Sequence, residues 1–127
     1  MTFVDTSAIY ALADLAEVHH SRAQRLFAEL LQNREALLTH NYVLLESFAL
    51  LQAQSGLRPP NCLPYRARIL RSGGWDSELH ETAVAELTRN RVSLVDQVSF
   101  ILMRALGVRR AFAFDDDFRR AGFELIG

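Results

Sequence analysis

The chain is expected to fold as an α/β protein, with a parallel sheet covered by helices on both faces. Three observations carry that expectation. Short apolar runs that read as strands alternate with amphipathic stretches that read as helices, the order that gives parallel strands joined by crossover helices. Two of the runs end directly in carboxylates: Phe3-Val4 leads into Asp5, and Ala111-Phe112-Ala113-Phe114 leads into Asp115-Asp116-Asp117. Right-handed crossovers bring the ends of those two strands to one rim of the sheet. That rim is where open α/β sheets bind ligands.

The elements follow in order. Phe3-Val4 forms the first strand, and Thr6-Ser7 open a helix marked by Ala8, Ile9, Ala11 and Leu12 that frays around residues 14–17. Asp5 at this junction reads either as a helix N-cap, for which Asp is among the best residues, or as a functional carboxylate. A second helix over 19–33 carries Ala23, Leu26, Phe27, Leu30 and Leu31 at helical spacing. Residues 35–39, with Ala36-Leu37-Leu38, form a short strand, and Thr39 starts a third helix over 40–54, ended by Ser55-Gly56. Within it Glu46 has Val43, Ala49 and Leu50 at i−3, i+3 and i+4, and no arginine at i±3 or i±4. A carboxylate on an apolar face without a partner is costly and is normally protonated, paired or metal-bound, which marks Glu46 as a candidate functional acid.

Pro59, Pro60 and Pro64 mark a bend over 57–64. Tyr65 to Arg71 reads as helical, Gly73-Gly74-Trp75 breaks it, and 79–88 reads as a further helix. Ser93-Leu94-Val95-Asp96 then precedes a strongly apolar helix closed by Gly107. Ser-x-x-Asp is a variant of the capping box, so Asp96 also has a structural and a functional reading. Arg110 to Phe114 form the next strand, residues 116–119 a turn, and 122–126 a final edge strand.

Composition narrows the function classes. The 127 residues fit one domain, 1–127, large enough to bury a core without staples. The single cysteine, Cys62, excludes an internal disulfide and a multi-cysteine metal site. No apolar run reaches membrane-span length and Met1 leads straight into the first strand, so a cytoplasmic location is expected. All fourteen basic residues are arginine. Without lysine there is no P-loop lysine and no Schiff base. The net charge of −1 does not itself announce a nucleic-acid binder, although arginine pairs bidentately with phosphate. His19, His20, His40 and His80 have neither metal-ligand nor triad spacing.

What remains are acids. Asp5, Glu46, Asp96 and Asp115 can all reach one rim, and clustered carboxylates without His or Cys favour a hard divalent cation such as Mg²⁺ or Mn²⁺. Such an ion suits phosphate chemistry. In Val4-Asp5-Thr6-Ser7-Ala8, Asn41-Tyr42-Val43-Leu44-Leu45-Glu46, Ser93-Leu94-Val95-Asp96 and Phe114-Asp115-Asp116-Asp117-Phe118, in that order, the chain resembles the PIN domain family. Within that family it looks like the VapC-like ribonuclease toxins of bacterial toxin–antitoxin pairs. The resemblance implies a three-layer α/β/α sandwich with strand order 3-2-1-4-5. It implies that Asp5, Glu46, Asp96 and Asp115 bind Mg²⁺ or Mn²⁺ and cut RNA, with Thr6 or Ser7 ordering the site. Whether Asp117 joins the metal shell stays open. Arg109, Arg110, Arg119 and Arg120 flank the rim in sequence and are candidates to hold RNA phosphates. A homodimer is expected from the apolar helices over 26–31 and 42–51, and an antitoxin protein is expected to send a basic segment to the acidic rim. Two alternatives stand beside this reading: an RNA-processing PIN nuclease with no antitoxin, and a non-catalytic PIN-like module whose acidic pocket receives a basic peptide.

Overall fold

The structure, a computed structural model, describes residues 1–55, 68–70 and 92–127. The bend at 57–64, Cys62, the break at Gly73-Gly74-Trp75, the helix expected over 79–88 and His80 lie outside the described residues.

Five short strands form one sheet: β1 (Thr2–Val4), β2 (Leu37–His40), β3 (Arg68–Leu70), β4 (Arg110–Phe112) and β5 (Glu124–Leu125). Their spatial order is β3-β2-β1-β4-β5, and every neighbouring pair is parallel. The helices are α1 (Thr6–Ala13), α2 (His20–Gln32), α3 (Asn41–Ser55), α4 (Leu94–Ala105) and α5 (Asp117–Arg120). From β1 the chain steps outward through β2 to β3, then crosses back to β4 on the other side of β1 and continues to β5. Right-handed connections stepping in opposite directions put their helices on opposite faces. The ring contacts agree. Phe3 meets Phe118 of α5 at 5.8 Å between centroids, while Phe114, beyond the end of β4, stacks on His19 at the start of α2.

β1 is central, and its burial explains its composition. Thr2, Phe3 and Val4 are all buried, as a strand covered on both faces requires. Phe3, Phe100, Phe118 and Phe123 form a ring cluster with centroids 5.0–6.3 Å apart. His20, buried at the start of α2, donates from Nδ1 to the Ala11 carbonyl at 2.8 Å and so ties α2 to α1. His40, also buried, bonds Ser99 of α4 through Nε2 at 2.9 Å. The Val43 amide points at its Nδ1, so Nδ1 is the acceptor and Nε2 carries the proton. Burial pushes His40 down to about 4, which keeps it neutral at physiological pH.

Two expectations are corrected here. The stretch over 65–71 does not read through as a helix, because Arg68–Leu70 is the edge strand β3, paired with Leu38, Thr39 and His40. The turn expected over 116–119 is one turn of helix, α5.

Candidate active site

Four carboxylates arrive at one cleft from four different parts of the chain. Asp5 follows β1, Glu46 lies in the second turn of α3, Asp96 in the first turn of α4, and Asp115 in the segment leaving β4. Together with Thr6, Ser7, Tyr10, Leu50 and Ser93 they line a cavity of about 290 Å³ at the carboxyl ends of the strands.

Each of three acids is held by a neighbouring hydroxyl. Asp5 Oδ2 accepts from the Ser7 amide at 2.9 Å and the Ser7 hydroxyl at 2.7 Å. Asp5 is therefore the N-cap of α1 and a wall of the cleft at once. Ser7 Oγ in turn accepts from the Phe114 amide at 3.0 Å, joining the end of β1 to the segment that carries Asp115. Thr6 Oγ1 donates to Glu46 Oε2 at 2.7 Å. Ser93 Oγ donates to Asp96 Oδ2 at 2.7 Å and accepts the Asp96 amide at 3.1 Å. Asp115 Oδ1 accepts the Asp117 amide at 3.1 Å.

The electrostatics are those of crowded anions. Asp5 is 2 % exposed. Burial pushes its carboxyl up to about 7; the Ser7 hydrogen bonds pull the other way, and the charges of Asp115 and Asp96 add to the rise. Asp96 is raised to about 6, again first by burial, against its Ser93 bond and with Asp115, Glu46 and Asp117 contributing. Asp5 Oδ1 is buried and has no hydrogen-bond partner among the described residues. A buried carboxylate oxygen left in that state is costly, and a cation is the partner that an anionic oxygen in an all-oxygen setting lacks. The donor set fits a hard divalent ion. Among the described residues, however, no three His, Cys, Asp or Glu side chains converge closely enough to grip one as they stand. Mutual repulsion and the separate hydroxyl tethers account for that spread.

The remaining candidates scatter. Asp117 pairs with Arg120 at 2.9 Å and lines a different cavity, with Gln97, Phe100 and Arg104. Arg119 pairs with Asp116 at 2.6 Å. Arg109 and Arg110 stand at the amino end of β4, the opposite edge of the sheet from the acids, where Arg110 lies 3.9 Å from Glu35 and 4.0 Å from Glu124. Their expected place on the acidic rim is thereby corrected: Arg110 and Asp115 are five residues apart, and a strand advances about 3.3 Å per residue. Glu46 is corrected in its reason. Val43 is buried, but Ala49 and Leu50 are exposed, so Glu46 faces the cleft mouth rather than a buried apolar face. Tyr10 lines the cleft without having been singled out, its hydroxyl bonded to Asp14 at 2.8 Å. Its position four residues after Thr6, on the same face of α1, was the available signal.

A sequence model of the PIN domain matches residues 2–124. The chain is a PIN domain. Among the relatives of this PIN domain is the 23S rRNA-specific endonuclease VapC20 of Mycobacterium tuberculosis, matched in two strains, 35% identical over 128 residues that cover 97% of this chain and 95% of the relative. The crystal structure of VapC20, described as a Sarcin-Ricin loop cleaving toxin, superimposes with a TM-score of 0.83 at 34% identity, covering 97% of this chain and 96% of that one.

Proposed function

We propose that this PIN domain is a metal-dependent endoribonuclease, acting as the toxin of a toxin–antitoxin pair, and that residues 1–127 work as a single catalytic domain in the cytoplasm. The observation that carries the reading is the cleft itself. Asp5, Glu46, Asp96 and Asp115 line it together, and a buried oxygen of Asp5 lacks a partner there. The names of the relatives, an rRNA-specific endonuclease and a loop-cleaving toxin, support RNA as the substrate class.

In this reading Asp5, Glu46, Asp96 and Asp115 hold Mg²⁺ or Mn²⁺, with Asp117 at the margin because it is already engaged by Arg120. The bound ion would lower the pKa of a water and stabilise charge on the phosphate. The protein's own contribution is placement. Ser7 fixes the Asp5 carboxylate through Oδ2, leaving Oδ1 without a hydrogen bond among the described residues, and Thr6 fixes Glu46. Ser93 holds Oδ2 of Asp96, leaving Oδ1 to hold the ion or to orient the attacking water. Arg119 and Arg120, in α5 after Asp115 and paired with Asp116 and Asp117, would offer positive charge to the RNA backbone once phosphate competes for them.

Leu31 and Leu45 are exposed at 46% and 68%, which favours a homodimer that covers them. A protein antitoxin reaching the cleft with an arginine would pair with these carboxylates and exclude the metal.

The deciding experiment incubates purified protein with a 23S rRNA stem-loop fragment and with bulk RNA, in Mg²⁺, Mn²⁺ or EDTA. Cleavage is expected with either ion and none in EDTA; cleavage unaffected by EDTA overturns the metal assignment, and no cleavage under any condition overturns the nuclease. Light scattering should give a dimer mass. If a small reading frame adjoins the gene, co-expression with its product should inhibit cleavage; no such frame, or an enzyme indifferent to its product, would favour the RNA-processing alternative.

A further inference from the structure

We propose that His19 and Arg22 form the RNA-backbone contact on the α2 side of the cleft, hydrogen-bonding and charge-pairing to phosphodiester oxygens next to the scissile bond; the assignment rests on the nuclease reading above. The imidazole of His19 lies flat on Phe114, with ring centroids 4.7 Å apart and planes 10° from parallel. Phe114 is the residue before Asp115, and its amide is bonded to Ser7 Oγ, which is bonded to the Asp5 carboxylate. The stack is thus anchored on the backbone that leads into the cleft residue Asp115, and it fixes the plane of the His19 ring without using its edge.

Neither ring nitrogen of His19 has a hydrogen-bond partner among the described residues, and the side chain is half-exposed. The adjacent His20 differs: it is buried, and its Nδ1 is occupied by the Ala11 carbonyl. Arg22 lies three residues after His19, so the two are neighbours on one side of the helix start. It is exposed and makes no ion pair among the described residues.

The other arginines considered for RNA are less available. Arg119 and Arg120 are each tied to an aspartate, and Arg109 and Arg110 stand at the opposite edge of the sheet. A substrate strand entering an acidic cleft is repelled by its walls until a cation is bound, and it needs donors on both sides. An oriented imidazole edge beside an unpaired guanidinium supplies donors on the side that α5 does not reach. Both groups suit phosphate, the guanidinium bidentately.

The test measures kcat and KM for cleavage of the stem-loop, and, separately, affinity for a non-cleavable stem-loop analogue by fluorescence anisotropy in Mg²⁺. Four variants are compared: His19→Phe, which keeps the stack and removes the nitrogens; His19→Gln, which restores a donor; Arg22→Ala; and Arg109→Ala as a control at the far edge. The expected result for His19→Phe and Arg22→Ala is a KM raised fivefold or more with kcat within twofold. His19→Gln should lie nearer the wild type and Arg109→Ala should be unchanged. Arg22→Ala should also flatten the dependence of log affinity on log salt by about 0.7 to 1. Unchanged affinity and KM in both His19→Phe and Arg22→Ala overturn the proposal, as does a loss confined to kcat. Wild-type protein that binds RNA without cutting it overturns the nuclease reading alone, since the affinity comparison still decides this one.

Discussion

Asp5 is capped onto its helix through one carboxylate oxygen, while the other is buried with no hydrogen-bond partner among the described residues. Asparagine is as good an N-cap as aspartate, so Asp5→Asn keeps the cap and removes the charge. Cleavage should fall at least ~100-fold, beyond the ~10–100-fold that losing a supporting hydrogen bond around a metal site typically costs. Stability should be equal or higher. The proton linkage has a definite sign. The folded carboxyl keeps its proton up to about 7, where the unfolded one releases it near 3.8. The folded state therefore holds more protons between those values, and stability rises as pH falls through 7. Calorimetry should show the wild-type Tm climbing from pH 8 to 6.5 and a flatter profile for Asp5→Asn. Glu35 is the contrasting acid. It sits by β4's amino end, accepting from the Thr2 hydroxyl at 3.1 Å and pairing with the Met1 amine and Arg110. Glu35→Gln should cost up to about 1 kcal/mol, as half-exposed pairs do, and leave RNA cleavage unchanged.

At the scale of elements, the one-turn helix α5 shows how little local sequence has to do when packing is good. Four residues cannot hold a helix alone. Phe118 holds this one, fully buried against Phe3, Phe100 and Phe123. Phe118→Ala should cost about 3–5 kcal/mol, a large part of the stability of a domain this size, with denaturant melts as the measurement. β3 teaches the same from the other side. Tyr65-Arg66-Ala67-Arg68-Ile69-Leu70 is rich in good helix formers, yet Arg68–Leu70 pairs with β2. A three-residue edge strand takes its conformation from its neighbour, and no local pattern announces it. The longer elements were legible because their apolar spacing is set by a buried face: β1, β2 and β4, and α1 to α4, fall within a few residues of their expected places. Asp5, Asp96 and Asp115 were legible because each stands at the end of such a pattern. Glu46, by contrast, stands out inside a helix for apolar sequence neighbours of which Ala49 and Leu50 are in fact exposed. The arginines of β4 were not, because adjacency in sequence along a strand means separation in space.

Across the whole molecule two protonation effects oppose each other. His40, held neutral and bonded to Ser99 across β2 and α4, is pushed down to about 4 from an ordinary 6.5. The unfolded chain thus binds the extra proton first, and stability falls as pH drops through 6.5 toward 4. Asp5 and Asp96, raised to about 7 and about 6, act in the opposite sense as pH falls. Two raised acids outweigh one lowered histidine. The metal-free protein's Tm should therefore keep climbing as pH falls from 8 to about 5, only more gently than the acids alone would make it. Adding Mg²⁺ or Mn²⁺ at pH 7.5 should raise Tm in the wild type and much less in Asp5→Asn. A ligand at 100 times its Kd adds about 2.7 kcal/mol, or several degrees. An equal shift in both proteins would place the ion elsewhere.

The hydrogen bond from the Phe114 amide to Ser7 spans 107 residues, and β4 fills the place beside β1 that stays open while β2 and β3 assemble on the other side. A chain emerging from the ribosome thus has Asp5, Glu46 and Asp96 in hand long before Asp115 or the amide that steadies Ser7. Its cleft stays incomplete until Phe114 and Asp115 have joined it. On the proposed function, a copy terminated before Asp115 should cut no RNA.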